Sequence, residues 1–140
     1  MKSVVIDPSM AISWVLPDER SDLGDSILYE TGEMRRITTG LFWYEYRSIL
    51  VSNERRKRLN RSEVPACLAE IQLLKIEEYN LTDHQWVISL AFKHNLSAYD
   101  ASYLALALEE GAILATNDRR LAQAALAEEV ELRTTLEGVR

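Results

Sequence analysis

The chain has 140 residues, 47% hydrophobic and 27% charged, with 16 Lys and Arg against 22 Asp and Glu for a formal net charge of −6. A single domain over 1–140 with one core fits these figures; a disordered chain does not, and neither does a disulfide framework, since Cys67 is the only cysteine. No apolar run approaches the roughly 20 residues that span a bilayer, and Asp7 interrupts the N-terminus too early for a secretory signal, so a cytoplasmic protein with no membrane partner is expected.

The run Val4-Val5-Ile6 predicts a strand over 2–7, and Pro8 suits the first turn of a following helix, where its missing N–H is not needed. That helix carries Met10, Ala11, Trp14 and Val15 until Pro17 stops it, and a second runs over 21–33. Ile37-Thr38-Thr39 reads as a short strand. A long helix over 41–58 then sets Phe42, Glu45, Tyr46 and Ile49 on one face at i, i+3, i+4, i+7 spacing. Ser62 begins the next helix, and 75–79 returns to the sheet. Thr82 and Gln85 read as a capping box ahead of Trp86, Ile88, Leu90 and Phe92, with Asn95 as the stop. The stretch 98–108 is apolar on nearly every side, which predicts a central buried helix closed by Gly111. A strand over 112–116, a helix over 119–127 and a last strand over 130–133 complete the chain. Short strands alternating with helices predict a three-layer α/β/α fold with a mostly parallel sheet.

Asp7, Glu45, Asp100 and Asp118 are spread across the chain, yet each lies at or near the start of a predicted helix. Asp7 and Asp118 follow strands, and ligands of open α/β sheets bind beyond the carboxyl ends of such strands. Each acid also has an ordinary explanation. Asp7 and Asp118 suit N-caps worth about 1 kcal/mol, Glu45 suits a boundary position, and Asp100 suits the positive end of its helix. Taken together they are harder to explain by stability. Two carboxylates about 4 Å apart repel by roughly 4 kcal/mol at an effective dielectric near 20, more than a cap returns. All-oxygen ligands select Mg²⁺ or Mn²⁺ over zinc, and neither His84 nor His94 has metal-ligand spacing. No Ser-His-Asp or Cys-His nucleophile set stands out.

An acidic total speaks against nucleic-acid binding, but the arrangement matters more than the sum. Arg55-Arg56-Lys57-Arg58, with Arg61, forms a basic block able to track RNA or meet an acidic partner; its bland reading is a solvated helix end. Cys67 reads as a small core or boundary residue.

Four segments carry a family resemblance: Val4-Val5-Ile6-Asp7-Pro8-Ser9; Phe42-Trp43-Tyr44-Glu45-Tyr46; the run from Ser97 through Tyr99-Asp100-Ala101 to Ala107; and Leu114-Ala115-Thr116-Asn117-Asp118-Arg119-Arg120-Leu121. In this order, over essentially the whole chain, they resemble PIN-domain ribonucleases, specifically the VapC-type toxins of toxin-antitoxin pairs. The resemblance implies that Asp7, Glu45, Asp100 and Asp118 bind one or two Mg²⁺ or Mn²⁺ ions and catalyse RNA hydrolysis, with Ser9 and Thr116 in support. Some relatives carry another acid after the fourth; here Asn117, Arg119 and Arg120 surround Asp118. Arg119 and Arg120 are candidates for substrate phosphates. A cognate antitoxin and a homodimer are implied as partners, with Trp14 and Trp43, which by residue type alone read as core, as candidate contact surfaces. The alternatives are a non-catalytic PIN-like interaction module that receives a basic peptide, and a metal-dependent DNA nuclease.

Overall fold

Alternation in the first strand sets the architecture. In a computed structural model describing residues 1–139, strand β1 (Ser3–Ile6) turns Val4 and Ile6 into one helical layer and Val5 into the other. Strand β4 (Ile113–Ala115) repeats the pattern in register, Val4 beside Ile113 and Ile6 beside Ala115, with Leu114 on the Val5 side. Both strands are buried on two faces, which explains why they read as continuous apolar runs.

The first layer holds α1 (Pro8–Val15), α2 (Asp22–Thr31), α3 (Phe42–Arg55) and α4 (Val64–Gln72), packing Met10, Ile27, Phe42, Tyr46 and Ile71 against Ile6. The second holds α5 (His84–His94), α6 (Ala98–Glu110) and α7 (Arg119–Ala127), with Leu90, Leu104, Leu106 and Leu121 against Val5. Leu104 is wholly buried, so truncating it to Ala should cost about 2–5 kcal/mol. Completing the sheet are β2 (Arg35–Thr39), β3 (Glu77–Tyr79) and β5 (Leu132–Arg133), in the order β3-β2-β1-β4-β5.

Every described pairing is parallel, so the expected mostly parallel sheet is parallel throughout its described pairs. The chain works outward from β1 through β2 to β3, then returns across β1 to β4 and β5. As a result α1 leaves β1 toward one layer and α7 leaves β4 toward the other. Neighbouring parallel strands whose connections diverge leave a crevice beyond their carboxyl ends. Asp7 and Asp118 stand at its two sides.

Several boundaries differ from the sequence reading. Helix α3 ends at Arg55 rather than at 58, because Lys57 takes a left-handed conformation (φ 62°) and turns the chain. Asp83, not Thr82, caps α5, its carboxylate accepting from the Trp86 N–H at 3.0 Å. Asn60 and Glu63 form a reciprocal capping box ahead of α4, where Ser62 was the expected start. The third strand is only Glu77–Tyr79, after Lys75 at φ 53°. Helix α6 is buried at Ala101 and over 103–107, but its first turn is open, with Tyr99 62% exposed. Among the described residues no helix is long and apolar enough to cross a membrane.

Candidate active site

Asp7 is the N-cap of α1, and its position follows from local chemistry: β1 ends, Pro8 fixes the first helical residue, and a carboxylate meets the freed N–H groups. Its oxygens accept from the Met10 N–H at 3.0 Å, the Ser9 hydroxyl at 2.8 Å and the Thr116 hydroxyl at 2.6 Å. The residue is 4% exposed. Burial is the main cause that pushes its pKa from 3.8 up to about 7; the three hydrogen bonds oppose this, and Asp118 adds a smaller upward push.

Ser9 and Thr116 tie the ends of β1 and β4 together. Ser9 Oγ also accepts from the Asn117 N–H at 2.8 Å, and Thr116 Oγ1 accepts from the Asp118 N–H at 3.0 Å. Thr116 is fully buried. A hydroxyl that donates to one acid while accepting from the backbone of another fixes their relative position. Asp118 caps α7 through the Leu121 N–H at 2.9 Å. The cap reading and the site reading of Asp7 and Asp118 are therefore compatible.

Asp100 lies one turn into α6, behind the Ser97 cap. Its pKa is raised by burial first and by Asp118 second. Glu45, in the first turn of α3, is raised by burial first; a hydrogen bond from Tyr103 offsets this, and Asp100 adds a smaller push upward. Electrostatically the acids thus form a row, Asp7 to Asp118 to Asp100 to Glu45. Among the described residues no three His, Cys, Asp or Glu side chains are grouped closely enough to hold an ion, so the row is open rather than a ready-made cage.

The donor chemistry fits a hard divalent cation. Every candidate ligand is a carboxylate oxygen, and the mutual repulsion is of the kind a cation relieves. Mg²⁺ in particular takes few protein carboxylates and keeps several waters, so it does not require three acids already converged.

Tyr103 had no assigned role in the sequence reading. Its hydroxyl donates to Glu45 Oε1 at 2.5 Å from a ring that is 1% exposed, and burial is the first reason its own pKa lies far above the usual phenol value. The signal was a polar-tipped aromatic three residues after Asp100, within an otherwise aliphatic helix. The arginines are placed less closely. Arg119 donates to the Glu137 carbonyl at 3.1 Å, whereas Arg120 is exposed and lines a shallow cleft with His94, Asn95 and Gln123. In the basic block, Arg58 pairs with Asp18 at 2.9 Å and Arg61 with Glu54 at 3.1 Å, while Arg55, Arg56 and Lys57 are exposed.

Trp14 corrects an expectation. It is 3% exposed, and its indole N–H donates to the Gly24 carbonyl at 3.0 Å, so it belongs to the core and offers no contact surface. Trp43 is half-buried, edge-on to Phe42. Cys67 is buried, as expected for a core residue.

Residues 4–127 match the family described as PIN domain. A sequence relative, Ribonuclease VapC3 of Pyrobaculum aerophilum, is 33% identical over 126 residues, covering 86% of this chain and 92% of its own. Among solved structures, that of PAE2754 from Pyrobaculum aerophilum superposes with a TM-score of 0.68 at 20% identity, covering 88% of this chain and 79% of that one. A toxin-antitoxin complex from Klebsiella pneumoniae gives 0.54 at 16% identity, covering 82% and 86%. At these identities the two structures speak to the fold alone.

Proposed function

Since the chain belongs to the PIN-domain family, with the VapC-type toxins, we propose that it is a Mg²⁺- or Mn²⁺-dependent endoribonuclease whose activity a cognate antitoxin restrains. The observation that carries this reading is the row of four acids at the crevice between β1 and β4, anchored at one end by Ser9 and Thr116 and at the other by Tyr103. Asp7, Asp100 and Asp118, with Glu45 direct or through water, would hold the divalent ion, which when bound would supply the Lewis acidity that makes water a better nucleophile and polarises a phosphate.

The protein's own groups do the positioning. Ser9, Thr116 and the Met10 N–H hold the Asp7 carboxylate in one orientation, so its charge does not reorganise during reaction. Tyr103 holds one oxygen of Glu45 and leaves the other open to solvent or ligand. Asp118 keeps its carboxylate at the α7 N-terminus, where helix polarity favours negative charge. In-line attack of water on the phosphorus would leave a 5′-phosphate and a 3′-hydroxyl, and no protein nucleophile is needed. Arg120 is the better placed of the two arginines to meet a substrate phosphate. Homodimer formation belongs to the same proposal.

A second reading has one observation in its favour. Because no three described acids enclose an ion, the row could simply receive a basic side chain in a non-catalytic interaction module. The two separate in one experiment. Purified protein is incubated with RNA and with DNA, in Mg²⁺, in Mn²⁺ and in EDTA, beside Asp7→Asn and Asp100→Asn. Metal-dependent RNA cleavage that both variants lose supports the nuclease. Cleavage of neither nucleic acid supports the binding module, and cleavage unchanged in the variants rejects the site.

A further inference from the structure

A groove of about 460 Å³ opens between the end of β2, the β3–α5 connection and the α5–α6 pair, walled by Leu41, Leu81, Val87, Ile88 and Tyr99. It is contiguous with the row of acids. Thr39 lines the groove and lies beside the Tyr103 phenol, which in turn holds Glu45. Tyr99 and Ser102, also in its wall, flank Asp100 on α6. One wall therefore serves both places.

The lining says what kind of group fits. No Asp, Glu, Lys or Arg contributes to it, so a phosphate or a charged peptide finds no counter-ion there. Its polar groups are hydrogen-bonding ones on an apolar floor. Ser102 donates to the Ala98 carbonyl and keeps its oxygen free to accept, while Asn80 and His84 at the rim are exposed, with side chains unbonded among the described residues. Tyr99 presents a 62% exposed ring. A flat, neutral group with a hydrogen-bonding edge matches this lining, and the volume is within the range of small-ligand sites. Aromatic rings of this kind are stacking platforms for unpaired bases.

We propose that the groove is a nucleobase subsite, taking the base of a nucleotide beside the scissile phosphate, stacked on Tyr99 and read at its edge by Asn80, His84 and Ser102. It thereby sets which base steps are cut. This inference rests on the nuclease reading of the acids.

The test uses the full chain in two arms. In the first, Asp7→Asn protein in Mg²⁺ is titrated with the four homotrinucleotide RNAs while the methyl resonances of Leu81, Val87 and Ile88 are followed. Saturable, base-dependent shifts are expected, and adding Tyr99→Ala should weaken that binding at least about fivefold, the low end of one lost stacking contact. In the second, wild type and Leu81→Trp cut oligoribonucleotides that differ only in the base beside the cleaved bond. Filling the groove should compress the preference among bases to within about twofold, with far-UV circular dichroism verifying the fold and the exposed Tyr99→Ala repeating the measurement.

Silent methyls together with an unaltered base preference overturn the subsite while leaving the nuclease intact. Methyl shifts without cleavage by wild type sink the nuclease and leave a base-binding groove. Shifts that follow protein concentration, and a dimer that Ile88→Asp splits, put a second copy in the groove and overturn the proposal.

Discussion

Replacing Asp7 by Asn should stabilise the metal-free protein at neutral and alkaline pH. The carboxyl is 4% exposed, and burial raises its pKa from 3.8 to about 7. A group whose folded pKa is raised binds its proton more tightly in the folded state, so its favourable contribution is complete below the unfolded value near 3.8. That contribution is lost as pH rises from there through 7. At about 1.36 kcal/mol for each tenfold change in proton affinity, a rise from 3.8 to about 7 corresponds to roughly 4 kcal/mol lost by pH 8. Asn is neutral and nearly isosteric, can accept from the Met10 N–H through its oxygen, and can donate to the Thr116 hydroxyl, which then turns its own proton away. The assay is urea unfolding of wild type and Asp7→Asn in EDTA from pH 4 to 8. The difference between the two proteins should be small at pH 4 and grow to at most about 4 kcal/mol at pH 8, an increase in Tm of up to roughly 12 °C for a chain this size. Added Mg²⁺ should narrow the gap by stabilising wild type selectively. A variant no more stable than wild type at pH 8, or a gap that does not widen with pH, refutes the claim that this carboxylate is held against its own folding preference.

Other substitutions probe the supports. Tyr103→Phe removes the donor to Glu45 while keeping the buried ring, so cleavage and Mg²⁺ affinity should fall about 10–100-fold with the circular dichroism spectrum unchanged. Thr116→Val strips one donor from Asp7 and the acceptor from the Asp118 N–H inside a buried site. Denaturant unfolding should show it destabilised by about 1–3 kcal/mol, and initial rates should fall about 10–100-fold. For Arg120→Ala, RNA affinity measured against salt should give a log–log slope flatter by about 0.7, as for one single-strand phosphate contact; an unchanged slope removes Arg120 from the substrate path.

How far the sequence discloses this molecule depends on how local each determinant is. Strands β1 and β4 were legible because burial on both faces demands unbroken apolar runs, and Gly111, in a left-handed conformation at φ 59°, marked the end of α6. Asp7 and Asp118 were legible as helix caps, a matter of a few neighbouring residues. Tyr103 was not, because its partner lies 58 positions away and on a helix of the other layer, so only the assembled sheet brings the phenol to Glu45. Trp14 misled for a similar reason: as a residue type it reads as core and the family resemblance suggested a contact surface, but an acceptor ten positions downstream keeps it inside. The end of α3 escaped because Arg56, Lys57 and Arg58 are good helix formers, and it is the backbone reversal leading to buried Leu59 that overrides them.

Asn117 yokes the tail of the chain to the floor of the acidic crevice. Its N–H meets Ser9, while its side-chain oxygen receives the Thr135 N–H at 2.9 Å and the Thr134 hydroxyl at 3.2 Å. Cargo fused at the carboxyl end, or traction applied there, would bear on the same peptide that seats the first acid. Reporter dyes and purification handles belong at the opposite end, where Met1 is 96% exposed and unburdened by such a clasp.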